Sequence, residues 1–235
     1  MQTEALTYQD HDTALHGHIA YQSSETKKPA VIVFHDWSGC NPFAINKAKE
    51  LAELGYVGFA ADIYGEGQVG TTLEEKQALI TPFTTDRAKL SKRVHAAFDA
   101  IKNHPAVDGN KIAAIGFCFG GLCALDLART SKELKGVVSF HGLLNRPEDL
   151  PISPISADIL VLHGFEDPMV PPEQVLAFCE EMQQSDASWQ IDMYGKTQHA
   201  FTNPEAHDTN LGTIYEPKAC TRAMQSMTHF LEEIF

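Results

Sequence analysis

The chain has 235 residues, 43% of them hydrophobic and 21% charged, and a formal net charge of −13. This composition suits a packed globular core and excludes disordered and fibrous classes, while the acidic balance repels phosphate backbones and anionic lipid and so argues against nucleic-acid and membrane partners. No apolar run approaches the ~18 residues of a membrane helix, "MQTEALTYQDHD" lacks the basic and apolar regions of a secretory signal, and the chain is expected to be cytoplasmic.

From the N-terminus, "ALTYQD" and "LHGHIAYQ" read as a short hairpin, with "HGH" at 16–18 alternating like an exposed sheet edge. After the polar loop "SSETKKP" comes "AVIVFHDW", a nearly continuous β-branched run typical of a strand covered on both faces. Asn41 and Pro42 open a helix over "PFAINKAKELAELG" that Gly55 stops, and "YVGFAADIY" is the next buried strand. Residues 65–89, rich in Gly, Thr and Glu, are expected to be an insertion or lid over the sheet rim. "AKLSKRVHAAFDAIKNH" reads as a helix stopped by Pro105, and "KIAAIGF", "KGVVSFHG", "DILVLHG" and "SWQIDMYG" as strands. "PPEQVLAFCEEMQQ" and "PKACTRAMQSMTHFLEEIF" supply further helices. Alternation of strand and helix predicts an α/β fold, a mostly parallel sheet with helices on both faces, and the lack of a linker or repeat predicts one domain over 1–235.

The five cysteines are odd in number and scattered, which argues against a disulfide framework. Histidines and cysteines show no metal-finger spacing, so neither a metal nor a cofactor is expected.

In "GFCFGG" the apolar strand ends at Phe117 and a helix starts near Gly121, which leaves Cys118 at the tip of the turn. Strand, glycine-flanked turn and helix form the nucleophile-elbow pattern, with cysteine where serine is commoner. Glycine at 116 and 120 fits because the tip residue is strained and a Cβ beside it would strike the neighbouring strand or helix. The thiol then points outward, and the Phe119 amide stands at a helix N-terminus, where the dipole favours a thiolate and a developing oxyanion. Cys123, farther along the helix, reads as a core thiol.

A nucleophile needs a base and a group that orients it, in the chain order nucleophile, acid, histidine on this architecture. Asp167 lies in "FEDPMVPP", just beyond a strand and at the sheet end where α/β folds bind ligands; Glu166 is its adjacent competitor. His199 follows the last strand in "KTQHAFTNP", from where an imidazole can reach Cys118 and be held by Asp167. His35, His141 and His163 also end strands and are expected to line the rim. The second oxyanion donor falls to the Trp37 amide in "HDWSG", with Asp36 as either a carboxylate near the thiol or an ordinary loop cap or salt-bridge partner.

Together, "HDWSG", "GFCFGG", "HGFEDPMVP" and "TQHAF" resemble the dienelactone hydrolase family of α/β-hydrolases, in that family's order, from about Ala30 to the C-terminus. The resemblance implies an α/β-hydrolase fold with Cys118 as nucleophile, His199 as base, Asp167 as its partner, and Trp37 and Phe119 as oxyanion donors. It further implies that Asp36, standing where the family has glutamate, assists thiolate formation, and that Arg87 of "TDRAKL" binds a substrate carboxylate. Thr202 and Asn203 occupy the place of a second family arginine. The expected function is hydrolysis of a small ester or lactone through an acyl-cysteine intermediate, by a monomer or homodimer.

Three other readings compete. "GEGQVG" at 65–70 matches the GxGxxG fingerprint literally, but it sits away from the first strand-to-helix crossover, and Glu66 would repel a pyrophosphate. Cys118 and Cys123 could form a thiol switch, and a hydrolase fold could serve only to bind a ligand.

Overall fold

The computed structural model describes residues 1–235, which divide into two compact units, Met1–Ile115 and Gly116–Phe235. In the first unit, β1 (Gln2–Asp10) and β2 (Thr13–Tyr21) form an antiparallel hairpin across a tight turn in which His11 adopts φ 51°. Strands β3 (Lys28–Phe34) and β4 (Val57–Ala61) pair in parallel and are buried almost throughout, which is why their sequences are continuous apolar runs rather than alternating ones. Between them runs α1 (Pro42–Glu53), whose first amides are satisfied by the Asn41 side chain. A Cβ on Gly58 would run into the Ala48 carbonyl, so α1 rests on β4 at a distance only glycine permits.

Strand β2 lies between β1 and β4, so the 16–18 segment is not at a sheet edge. Its small middle residue has a packing cause instead: a Cβ on Gly17 would collide with the Phe59 ring.

Helix α2 (Leu73–Thr84) occupies the middle of the 65–89 segment. A capping box starts it: Thr72 Oγ1 accepts from the Glu75 amide at 3.2 Å, and Glu75 Oε2 accepts from the Thr72 amide at 3.1 Å. The loop leading into α2 is fastened to the loop after β3, with the Gly70 amide donating to the Ser38 carbonyl at 2.9 Å. The "GEGQVG" amides have a partner within the chain. Gly65 and Gly67 N–H each donate to the Asp62 carboxylate at 2.9 Å, so the donors a phosphate would need are already satisfied. Helix α3 (Arg87–Lys102) and β5 (Val107–Phe117) follow.

In the second unit, α4 (Phe119–Thr130) continues directly from β5. Strands β6 (Gly136–Phe140), β7 (Asp158–Gly164) and β8 (Trp189–Tyr194) pair in parallel, with α5 (Pro172–Gln184) between the last two. A two-residue hairpin, β9 (His207–Asp208) with β10 (Thr213–Ile214), and α6 (Pro217–Ile234) complete the chain. The strand order is β1-β2-β4-β3-β5-β6-β7-β8, a mostly parallel sheet with helices around it. No helix is long and apolar enough to cross a membrane.

Candidate active site

At the end of β5 the chain turns so sharply that Cys118, a non-glycine residue, adopts φ 56° and ψ −115° as the N-cap of α4. Such a conformation costs on the order of 1–3 kcal/mol and persists only where the surroundings enforce it. Here the enforcement is visible. The Cys118 amide donates to the Phe140 carbonyl at 3.0 Å, and the Cys118 carbonyl accepts from the Gly121 amide at 3.0 Å. A Cβ on Gly116 would run into the Gly120 carbonyl, and one on Gly121 would meet Ser139 and Gly142. The thiol is half-buried and unbonded to another cysteine, and no side chain caps this helix end, so the dipole of α4 acts on the sulfur.

His199 and Asp167 come from two loops laced together. The Glu166 amide donates to the Thr197 carbonyl at 2.9 Å, and Gly164, at the end of β7, approaches the Thr197 and Gln198 carbonyls so closely that a Cβ would not fit. The short hairpin holds the histidine from the other side: His199 N–H donates to the Gly212 carbonyl at 3.0 Å, and the His199 carbonyl accepts from Ile214 N–H at 2.9 Å. Within this frame His199 Nδ1–H donates to Asp167 Oδ2 at 2.7 Å, with the two residues only 1% and 3% exposed. The other carboxylate oxygen accepts from the Met169 amide at 2.8 Å, which fixes its orientation. Glu166 is exposed.

The remaining ring nitrogen, Nε2, is buried and makes no hydrogen bond of proper geometry. The Cys118 sulfur is nonetheless near enough to act on the ring by its charge. Burial works against the imidazolium, but the Cys118 thiolate and then the Asp167 hydrogen bond outweigh it and push the His199 pKa up to about 10. Removing the sulfur charge in Cys118→Ser is expected to bring the His199 titration, followed by NMR of the imidazole, well below that of the wild type. An unchanged value would show that something other than the thiolate holds the proton.

The other histidines at strand ends differ in kind. His35 Nε2 accepts from the Ile63 amide at 3.3 Å, so its Nδ1 carries the hydrogen and donates to the Asp36 carbonyl at 2.6 Å; burial keeps this ring neutral. His163 is buried with its pKa lowered, chiefly by desolvation. His141 adopts φ 39° and packs against the ring of His199 itself.

Asp36, Trp37 and Arg87 all belong to the first unit. Asp36 Oδ1 accepts from the Ser38 amide at 2.8 Å and so caps its own turn. The Trp37 carbonyl accepts from the Tyr64 hydroxyl at 2.9 Å, and Lys76 Nζ stands 5.4 Å from the centre of its ring. Arg87 is the first residue of α3 and is half-exposed. Phe119 is the first residue of α4. Cys123 is 0% exposed in the core.

A mostly parallel sheet with helices around it, and a strained residue at a strand-to-helix elbow, define an α/β-hydrolase. The dienelactone hydrolase family profile matches residues 15–235, and the chain belongs to that family and is a hydrolase of carboxylic ester bonds. A Bradyrhizobium protein named "Probable 2-oxo-3-(5-oxofuran-2-ylidene)propanoate lactonase" is 31% identical over 212 residues, 85% of each chain. The "Carboxymethylenebutenolidase homolog" of Xenopus tropicalis is 28% identical over 197 residues, 82% of this chain and 78% of its own. Among solved structures, a dienelactone hydrolase-like promiscuous phosphotriesterase from metagenomic libraries superposes with a TM-score of 0.95 at 35% identity, covering 100% of this chain and 98% of that one.

Proposed function

We propose that Cys118, His199 and Asp167 form a catalytic triad that hydrolyses a small ester or lactone through an acyl-cysteine intermediate. The observation that carries this reading is the buried 2.7 Å bond from His199 to Asp167, beside a strained Cys118 at the start of α4. The reacting pair in this reading is a Cys118 thiolate and a His199 imidazolium. The thiolate attacks the substrate carbonyl, the ester C–O bond breaks, and the leaving alkoxide takes the proton from His199 Nε2. Neutral His199 next accepts a proton from water as that water attacks the thioester. The C–S bond breaks, the acid departs, and thiolate and imidazolium are restored. Asp167 holds the imidazole in the tautomer with hydrogen on Nδ1, so that Nε2 always faces the chemistry.

The developing oxyanion is assigned to the Phe119 amide at the start of α4 and, on the residue pattern, to that of Trp37. The same pattern assigns help in thiolate formation to Asp36 and binding of a substrate carboxylate to Arg87. A lactone substrate fits the name of the Bradyrhizobium relative. The 35%-identical phosphotriesterase favours a phosphotriester as a second electrophile for the same thiolate.

The test is turnover of p-nitrophenyl acetate, a panel of small lactones and a p-nitrophenyl phosphotriester by the purified protein. Hydrolysis of at least one ester or lactone is expected, an ester giving acid and alcohol in equal amounts and a lactone giving one hydroxy acid. Failure across the carboxylic substrates with turnover of the phosphotriester alone would transfer the assignment to the second electrophile.

A further inference from the structure

We propose that His141 is a positioning residue for catalysis, a ring that fixes the orientation of His199 through edge-to-face contact and ties down the histidine loop through Thr202; this rests on the reading of His199 as the acid–base group. His141 follows β6 and is 2% exposed. Its ring lies 5.1 Å from that of His199, with 64° between the planes, and 5.2 Å from Phe201 at 76°. Phe117, the residue before Cys118, stands 6.2 Å away on another side. The ring is thus boxed in by the two segments that carry the expected nucleophile and base.

Three hydrogen bonds converge on the same point. His141 Nε2 and the Thr202 hydroxyl share one of 2.8 Å, three residues beyond His199. The His141 amide donates to the Leu162 carbonyl of β7 at 2.8 Å, on the strand that leads to Asp167. The carbonyl of the preceding residue, Phe140, receives the Cys118 amide at 3.0 Å. Residues 140–141 therefore touch the local supports of all three triad members.

The backbone shows that this placement is enforced. A histidine at φ 39° lies in the left-handed region that favours glycine, and a buried non-glycine residue is held there only by its surroundings. Its side chain carries a second cost, because Nδ1 is buried with no partner beyond its own backbone. A merely space-filling residue would need neither feature. Neutrality completes the fit: burial and then the neighbouring His199 charge hold the His141 pKa well below its ordinary value, so the ring beside the imidazolium remains uncharged. A neutral aromatic ring can pack against that cation without repelling it.

The test compares the wild type with Thr202→Val, Thr202→Ser, His141→Phe and His141→Ala on p-nitrophenyl acetate. Active sites are counted from the pre-steady-state burst, and melting temperatures are taken in parallel. Thr202→Val keeps the shape and removes the hydroxyl, and it is expected to lower kcat per active site about tenfold, the value of one hydrogen bond, with KM nearly unchanged. Thr202→Ser should restore most of it. His141→Phe, which keeps a ring and loses the bond, should resemble Thr202→Val. His141→Ala loses ring and bond, and is expected to fall about 100-fold, the scale of a 1 Å misplacement of a catalytic group. Wild-type kcat per active site in Thr202→Val and His141→Phe, or no recovery in Thr202→Ser, would overturn the proposal. Turnover surviving in Cys118→Ala would instead overturn the triad on which it rests.

Discussion

Cys118→Ala is expected to lose ester hydrolysis almost completely, on the order of 10⁶-fold in kcat if the sulfur is the nucleophile of a working triad, while melting near the wild-type temperature. The two halves of this expectation have different physical sources. The sulfur is half-buried, and the elbow is held by the Cys118 backbone amide and carbonyl and by glycines at 116 and 121. Truncation to alanine keeps the Cβ, those bonds and the unusual φ of 56°. Chemistry disappears because no other group at that point can form the acyl bond. Cys123→Ala should behave in the opposite way: the thiol is fully buried on α4, so its loss lowers the melting temperature and leaves kcat in place. Equal loss of turnover in both variants would remove the distinction between the two cysteines.

Arg129→Met is expected to destabilise the fold by about 3–5 kcal/mol, the usual effect of breaking a buried ion pair from one side, and to lower the melting temperature by about 10 °C. Arg129 sits near the far end of α4. Its Nε and Nη2 donate to the two Glu181 oxygens at 2.8 Å each, its Nη1 donates to Asp126 at 3.1 Å, and Nη2 also reaches the Leu144 carbonyl at 2.9 Å. The Glu181 contact is the bidentate geometry that makes arginine–carboxylate pairs strong, and both residues are 7% exposed. Without the guanidinium, Glu181 is a buried carboxylate that has lost its two charged donors. The double variant Arg129→Met/Glu181→Met should therefore lose less than the sum of the single changes, since no orphaned charge remains on α5. Urea unfolding of the four proteins provides the cycle, and strict additivity would show that the pair is not coupled.

The fold was legible because the inner strands of the sheet are buried on both faces. Runs such as "AVIVF" and "DILVL" can hardly be anything but covered strands, and Asn41, Pro42 and Gly55 mark the ends of α1 by their own chemistry. Helix α2 was harder to see. Glycine and threonine surround it, Pro82 stands inside it, and only Phe83 is buried, so apolar spacing carries little signal; the Thr72–Glu75 capping box was the one local mark of its start. The β9 and β10 strands are two residues each, too short to leave any periodicity.

At the site, local chemistry singles out Cys118 because glycines must flank a strained elbow. Asp167 and His199 follow from chain order, and the structure brings them into one hydrogen bond. What sequence leaves open is which groups face one another across strands. Asp126, Arg129 and Glu181 look like ordinary helix charges until α4 and α5 pack, and His141 looks like a rim residue until its ring meets His199. Asp36 had two readings, and the bond from the Ser38 amide shows that one of its oxygens caps the turn.

The most direct test of the central claim is to quench a rapid reaction with p-nitrophenyl acetate in acid, digest the protein and weigh the peptide that contains Cys118. An acetyl group on that peptide, formed at the rate of the p-nitrophenol burst and gone after turnover ends, is the predicted result. An unmodified Cys118 peptide during steady hydrolysis, or an acyl group on another residue formed at the burst rate, would contradict it.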